Sequence, residues 1–157
     1  MKRVLFLMLA CSLLLCGCKD GIKDGKSEVA SDVARIWEVL GGKDQFEEAD
    51  ADFIATSFED RTYRERIVCF RREGFGEFGA FLLPSAAEAV AFEGSVKRYL
   101  SREAEAIRSL ASLYPAEELE ERLACYDEAK VLRRGAAVYY VALPRAEADR
   151  AMQAVTG

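Results

Sequence analysis

Two pairs of arginines are the side chains in this sequence best suited to bind an anion. Arg71-Arg72 and Arg133-Arg134 each lie at or near the tip of a predicted β-hairpin. A guanidinium offers forked N–H donors that pair with phosphate or carboxylate groups in a bidentate way. If the sheet brings the hairpins side by side, Arg71, Arg72, Arg133 and Arg134 converge on one site for lipid headgroups or anionic wall polymers. The favoured alternative is that hairpin tips are charged for solubility and to protect the sheet edge.

Cysteines are the second group of reactive side chains, and they have no histidine to assist them. The chain contains five cysteines and no histidine. Ser-His-Asp and Cys-His catalysis and every His-ligated metal site are therefore excluded. In an exported protein, Cys69 and Cys125 can form a disulfide. Two inert buried thiols are the favoured interpretation, and a reactive cysteine is the third.

Acidic residues occur in two groups, neither of which has the spacing of a known site. The group at 47–52 lacks the EF-hand spacing and its central glycine, so a solvated loop is favoured over a calcium site. The group at 117–121 is best interpreted as a solvated helix face. Paired acids for glycoside hydrolysis remain an option, because the sequence does not determine how far apart two carboxylates lie. We predict no metal and no cofactor.

Composition restricts the chain to one ordinary domain, with at most a tether added. It has 157 residues, of which 51% are hydrophobic and 31% charged, and this is globular composition. The formal net charge is −5. An acidic chain without a basic tail is a poor candidate for binding nucleic acid.

The N-terminus has the pattern of an exported protein. Two basic residues precede the apolar run at 4–15, which is too short to span about 30 Å of hydrocarbon and is typical of a secretory signal. The end of this run, Leu15-Cys16-Gly17-Cys18, resembles the lipobox of bacterial lipoproteins, with Cys16 where Ala or Ser is commoner. The resemblance implies that 1–17 is a signal peptide and that Cys18 is lipidated. A plain secretory peptide or a membrane stub is the alternative.

The segment that follows predicts where the domain lies. Residues 19–27 repeat a Lys-Asp-Gly unit and have the composition of a flexible tether, which begins at the lipidated Cys18. Nine such residues reach roughly 15–18 Å. The domain at 28–157 is therefore predicted close to the outer face of a bacterial cell membrane. The predicted partners are the membrane itself, through the lipid anchor, and an envelope protein or anionic envelope polymer.

Hydrophobic periodicity predicts the elements that position these groups. Helical patterns cover 28–40, 50–58, 85–113, 116–124 and the segment after Pro144. Two hairpins are predicted at 63–83 and 128–143. This order predicts a single α+β domain, with a four-stranded, mainly antiparallel sheet made of two hairpins and helices packed on one face.

A family resemblance covers the chain from about residue 63 to residue 155. The sequence resembles the bacterial family catalogued as domain of unknown function 4358 in Gly-Glu-Phe-Gly-Ala-Phe at 76–81 and Gly-Ala-Ala-Val-Tyr-Tyr-Val at 135–141. Tyr114-Pro115 after the long helix also matches, whereas Gly94 and Arg133-Arg134 depart from the pattern. The resemblance implies an exported, lipid-anchored α+β domain. It implies no activity and no catalytic residues.

The function predicted from the sequence is that of a lipid-anchored extracytoplasmic binding or adaptor module. The alternatives are a small cell-surface enzyme that uses carboxylates and a structural envelope protein. A cluster of buried acids in one cleft would favour the enzyme. An exposed apolar patch with a charged rim would favour the adaptor.

Overall fold

A computed structural model of the chain describes residues 28–58, 61–113 and 115–157. The predicted signal peptide, the predicted lipidation of Cys18 and the predicted tether at 18–27 all fall outside the described residues. Within the described ranges, no helix combines the length and the apolar character needed to cross a membrane.

The described chain forms five α-helices and five β-strands. The helices are α1 (Glu28–Val39), α2 (Ala51–Phe58), α3 (Ala86–Ser109), α4 (Ala116–Asp127) and α5 (Arg145–Thr156). The strands are β1 (Phe46–Glu48), β2 (Glu65–Arg71), β3 (Glu77–Leu82), β4 (Lys130–Arg134) and β5 (Ala137–Ala142).

The strands form one antiparallel sheet in the order β1-β2-β3-β5-β4. The predicted α+β class and the two hairpins are confirmed, but the predicted count of four strands is wrong. The fifth strand is β1, whose Phe46 pairs with Arg71. It follows a short 3-10 turn at Lys43–Gln45 and is too short and too acidic to show a strand pattern in the sequence.

Helices cover both faces of the sheet, which corrects the prediction that they pack on one face. Helices α1 and α5 pack on the face that carries Phe78 and Tyr139. Helices α2 and α3 pack on the face that carries Phe81 and Tyr140. The central strands β3 and β5 are therefore buried on both faces, as their nearly continuous apolar sequences require.

The long helix α3 begins where the sequence predicts, at a capping box. The backbone N–H of Glu88 donates to Ser85 Oγ over 3.2 Å, and the Ser85 hydroxyl donates to Glu88 Oε2 over 3.0 Å. One exposed amide of the first turn is thereby satisfied. This start sets α3 along the sheet, so that Phe92, Val96 and Tyr99 point into the core.

The two hairpin turns lie at opposite ends of the sheet. Strand β3 runs antiparallel to β5, with Glu77 opposite Ala142 and Leu82 opposite Ala137. We call the end at the β4–β5 turn the proximal end, because Glu28, the first described residue, forms an ion pair of 2.7 Å with Arg134 there. The end at the β2–β3 turn is called the distal end.

Candidate functional site

The four arginines predicted to bind an anion do not converge. Arg71 and Arg72 lie at the distal end of the sheet, whereas Arg133 and Arg134 lie at the proximal end. The ends are separated by the six residues of β5, which are five steps or roughly 16 Å. The β2–β3 turn comes directly before β3, and the β4–β5 turn comes directly before β5. The two turns would lie at the same end of the sheet only if β3 and β5 ran parallel, and these strands are antiparallel.

Acids and carbonyl oxygens of the protein already bind these arginines. Arg71 forms a two-bond ion pair with Glu147, of which the Nη1–Oε1 bond is 3.1 Å. Arg72 Nε donates to the Phe46 carbonyl over 3.1 Å, and Arg133 Nε donates to Glu93 over 3.2 Å. Arg134 binds Asp32 and Glu28.

Cys69 and Cys125 are both free and buried, so the disulfide that the sequence allowed is not present in the structure. Cys69 packs in the core beneath α1. Burial, with Glu48 adding to it, raises the pKa of the Cys69 thiol to about 12. Burial also raises the pKa of Cys125. Neither thiol is a thiolate near neutral pH, and the thiolate is the reactive form.

A buried glutamate that sequence reasoning missed lies at the centre of the α3 face. The side chain of Glu77 in β3 is 1% exposed and accepts hydrogen bonds from three tyrosine hydroxyls. Tyr140 Oη donates to Oε1 over 2.7 Å, and Oε2 accepts from Tyr99 over 3.0 Å and from Tyr126 over 3.2 Å. The signal in the sequence was an acid inside an otherwise apolar strand.

Glu77 ties four elements together, because its partners come from α3, α4 and β5. Burial raises the pKa of this carboxyl, and the three hydroxyl bonds oppose the shift. Burial of the tyrosines themselves, with the charge of Glu77 adding to it, raises the pKa of Tyr99, Tyr126 and Tyr140, so that the hydroxyls keep their protons. Such a network is suited to hold helices on the sheet.

A second buried acid, Asp32 of α1, lies on the other face. It is 0% exposed and is bound by Arg35, Arg134 and the hydroxyl of Tyr139. The sheet separates Asp32 from Glu77, so these two carboxylates do not form an acid–base pair in one cleft. In the part of the chain that the structure describes, no three Cys, Asp or Glu residues are placed to hold a metal ion.

The candidate binding site is a cavity of about 550 Å³ at the distal end, which we call the distal cleft. One wall is α4. The other combines the β2–β3 turn and Arg71 with the start of α5. The lining residues are Arg71, Gly74, Phe75, Glu121, Ala124, Cys125, Glu128, Pro144 and Arg145. A volume between 300 and 1,000 Å³ is typical of small-ligand sites.

A second cavity of about 480 Å³, the side cleft, lies between α3 and the segment from α4 to β4. Arg108 Nη2 contacts both carboxylate oxygens of Asp127 beside it, at 2.6 and 2.8 Å. Tyr126 lines this cleft, and its hydroxyl reaches inward to Glu77. Helix α4 is therefore a wall of both clefts.

No family model, curated protein or solved structure matches the chain. The function must therefore be inferred from the described residues alone. They form an α+β domain with two clefts beside α4 and two buried carboxylate networks.

Proposed function

We propose that this protein is a lipid-anchored extracytoplasmic binding module that holds its ligand in the distal cleft. The observation that carries the proposal is the position of that cleft. The ion pair between Glu28 and Arg134 brings the start of α1 to the proximal end of the sheet. The cleft lies at the other end, where Phe75 and Ala124 line its two walls.

This arrangement suits a module held at a membrane through its N-terminus. A lipidated Cys18 would be joined to the proximal end by a tether that reaches roughly 15–18 Å. The distal cleft would then face away from the outer surface of the bacterial cell membrane, toward an envelope protein or polymer. The resemblance to domain of unknown function 4358 agrees with such an anchored domain and stays a prediction.

The carboxylate chemistry favours binding over catalysis. Enzymes that use two acids need both in one cleft at a defined separation. Glu77 and Asp32 are on opposite faces of the sheet, and each accepts three hydrogen bonds from protein side chains. Their geometry is that of structural networks, so the two buried acids do not supply a catalytic pair, and this supports a binding module as the better of the two candidates.

Site-specific photocrosslinking in intact cells tests this function. A photoreactive amino acid replaces Ala124, which is exposed in the wall of the distal cleft. The matched control carries it at Val90, which is 56% exposed on α3 and lines neither cleft. We expect an adduct from position 124 only, on protein that fractionates with membranes.

A Cys18→Ser version of both crosslinking variants tests the anchor. We expect it to leave the membrane fraction and to lose the adduct if the ligand is confined to the membrane surface. Equal labelling from positions 124 and 90 would contradict the distal cleft as the site. Membrane fractionation that Cys18→Ser does not change would contradict lipidation at that residue.

A further inference from the structure

We propose that the ligand of the distal cleft is a short peptide with free termini, whose ammonium and carboxylate groups bind opposite walls. This inference rests on the proposed function and deepens it. It follows from the charges on the two walls and from the apolar surface between them.

The α4 wall is acidic at its two ends and apolar in its centre. Glu121, Ala124, Cys125 and Glu128 occupy positions i, i+3, i+4 and i+7, which form one stripe on a helix. The two glutamates are seven residues apart, or roughly 10 Å along the axis. Among the described residues, neither carboxylate has a hydrogen-bond or ion-pair partner.

The opposite wall provides one guanidinium that is not already paired. Arg71 is neutralised by its two-bond ion pair with Glu147. Arg145 is exposed at the start of α5 and has no described acid within ion-pair distance, although its charge helps to lower the pKa of Asp149 one turn along the helix, after the hydrogen bond that Asp149 accepts from Lys130. Phe75 and Pro144 add apolar surface to this wall. Arg122 of α4 packs its guanidinium 5.8 Å from the Phe75 ring, which joins the two walls.

These walls select a ligand by the sign of its charges. A purely anionic ligand would pair with Arg145 but bring its charge close to Glu121 and Glu128, and a purely cationic ligand would pair with the glutamates but bring its charge close to Arg145. A zwitterion satisfies both walls through charge-assisted hydrogen bonds. The apolar surface between the walls suits the side chain of a residue such as leucine.

Size and position favour a peptide over a lipid headgroup or a folded protein. A cavity of about 550 Å³ accepts a small ligand, not a folded domain. The cleft lies at the end of the sheet opposite Glu28, and so faces away from the membrane to which the proposed anchor attaches. A peptide with both termini free is the zwitterion that fits this position.

Calorimetry with the purified full-length protein in detergent tests the ligand class. The probe is the tripeptide Ala-Leu-Ala with free termini, compared with its N-acetylated and its C-amidated forms. Hydrogen bonds to charged groups contribute about 1.5–3 kcal/mol, so removing either terminal charge should weaken binding roughly tenfold or more.

Two sets of variants assign each terminus to its wall. In the double variant Glu121→Gln, Glu128→Gln, N-acetylation of the peptide should no longer weaken binding, whereas C-amidation still should. Arg145→Gln should do the reverse. The matched control is Glu117→Gln combined with Glu120→Gln, two glutamates of the same helix that do not line the distal cleft. We expect this control to bind all three peptides as the unmodified protein does.

Two results would overturn the ligand class: no binding of the free tripeptide, or equal binding of free and capped forms. Either result leaves the photocrosslinking experiment as a separate test of the cleft itself. An adduct at position 124 without peptide binding would mean a binding module for another ligand. Peptide binding that the glutamine variants do not change would overturn the assignment to these walls.

Discussion

Tyr139 and Tyr140 are neighbours in β5, and their hydroxyls bind carboxylates on opposite faces of the sheet. Tyr139 donates to Asp32 of α1, and Tyr140 donates to Glu77 over 2.7 Å. Successive side chains of a strand point to opposite faces, so one dipeptide reaches both cores. Each helical layer is thereby fixed to the sheet by a buried polar network as well as by apolar packing.

The first prediction concerns the space beneath Tyr140. Gly79 lies opposite Tyr140 in the sheet, and a Cβ atom on Gly79 would lie 2.2 Å from Tyr140 Cε1. Gly79→Ala must therefore displace the ring and weaken its bond to Glu77. We expect it to lower the free energy of unfolding by about 1–3 kcal/mol, as measured by chemical denaturation.

The same substitution at Gly94 is the control, and its expected sign is opposite. Gly94 lies within α3, where a new Cβ approaches nothing closer than Arg98 Nη1 at 3.5 Å. Alanine in place of glycine in a helix stabilises by about 0.5–1 kcal/mol. Equal effects of the two substitutions would contradict the close contact at Tyr140.

The second prediction concerns the dependence of stability on pH. Burial raises the pKa of Glu77 above its ordinary value of 4.5. The folded state therefore holds this proton more tightly than the unfolded state does. The stability that the protonated Glu77 contributes is fully present below about pH 4.5 and is lost as the pH rises through the pKa of Glu77 in the folded protein. The loss amounts to at most about 1.4 kcal/mol for each pH unit in this interval.

Glu77→Gln retains an uncharged side chain of similar size and cannot titrate. The unmodified protein should lose the contribution of Glu77 as the pH rises, and the variant should not. We therefore expect the difference in free energy of unfolding, variant minus unmodified protein, to increase between pH 5 and pH 8. Urea denaturation of both proteins across this range measures the difference. A difference that stays constant with pH would show that Glu77 has the same pKa in the folded and unfolded states.

The third prediction compares a buried and an exposed acid that bind the same arginine. Asp32→Ala removes the buried partner of Arg134 and Tyr139 and should cost about 2 kcal/mol of unfolding free energy. Glu28→Gln removes a partner that is 73% exposed and should cost at most about 0.5 kcal/mol. Thermal unfolding of both variants measures the contrast, and equal losses would contradict it.

The fourth prediction concerns the two internal thiols. Burial raises the pKa of Cys69 to about 12, and it raises that of Cys125 as well. We expect neither to react with iodoacetamide in the native protein at pH 8, and both to react in denaturant without a reductant. Peptide mapping by mass spectrometry identifies the alkylated residues. If labelling in denaturant requires a reductant, the two cysteines form a disulfide in the isolated protein.

Local sequence signals were sufficient for most helices and strands. The capping box at Ser85 and the short helix predicted at 50–58, observed as Ala51–Phe58, are both confirmed. These features depend on contacts within one turn or on the period of the apolar residues. The missed strand β1 depends on pairing with Arg71, Phe70 and Cys69, far along the chain.

The arrangement of the hairpins could not be predicted from their turns. Convergence of Arg71 with Arg134 depends on whether β3 and β5 run parallel or antiparallel, and no residue of either hairpin determines that alone. The burial of both faces was predictable in principle. Strands β3 and β5 have nearly continuous apolar sequences, whereas a strand with one face in water alternates apolar and polar residues. The structure accordingly buries five of the six residues of β3 and all six of β5.

The distal cleft was beyond sequence reasoning for a different reason. Its walls come from the β2–β3 turn, from α4 and from the start of α5, which are far apart in sequence. Glu121 was interpreted as part of a solvated helix face, and it is indeed exposed. That it faces a cavity opposite Arg145 follows only from the tertiary arrangement.

Helix α4 buries only Cys125 among its twelve residues, although it separates the two clefts. Because the Tyr126–Glu77 bond and packing on α3 are what hold so small a buried face in place, we expect α4 to detach by local unfolding at a lower free energy than the sheet. If the ligand binds only when α4 is attached, it raises the free energy of detaching α4 by RT ln(1 + [L]/Kd), where [L] is the concentration of free ligand. Occupancy of the distal cleft is therefore expected to slow amide exchange in α4 at ligand concentrations that leave exchange in β5 unchanged.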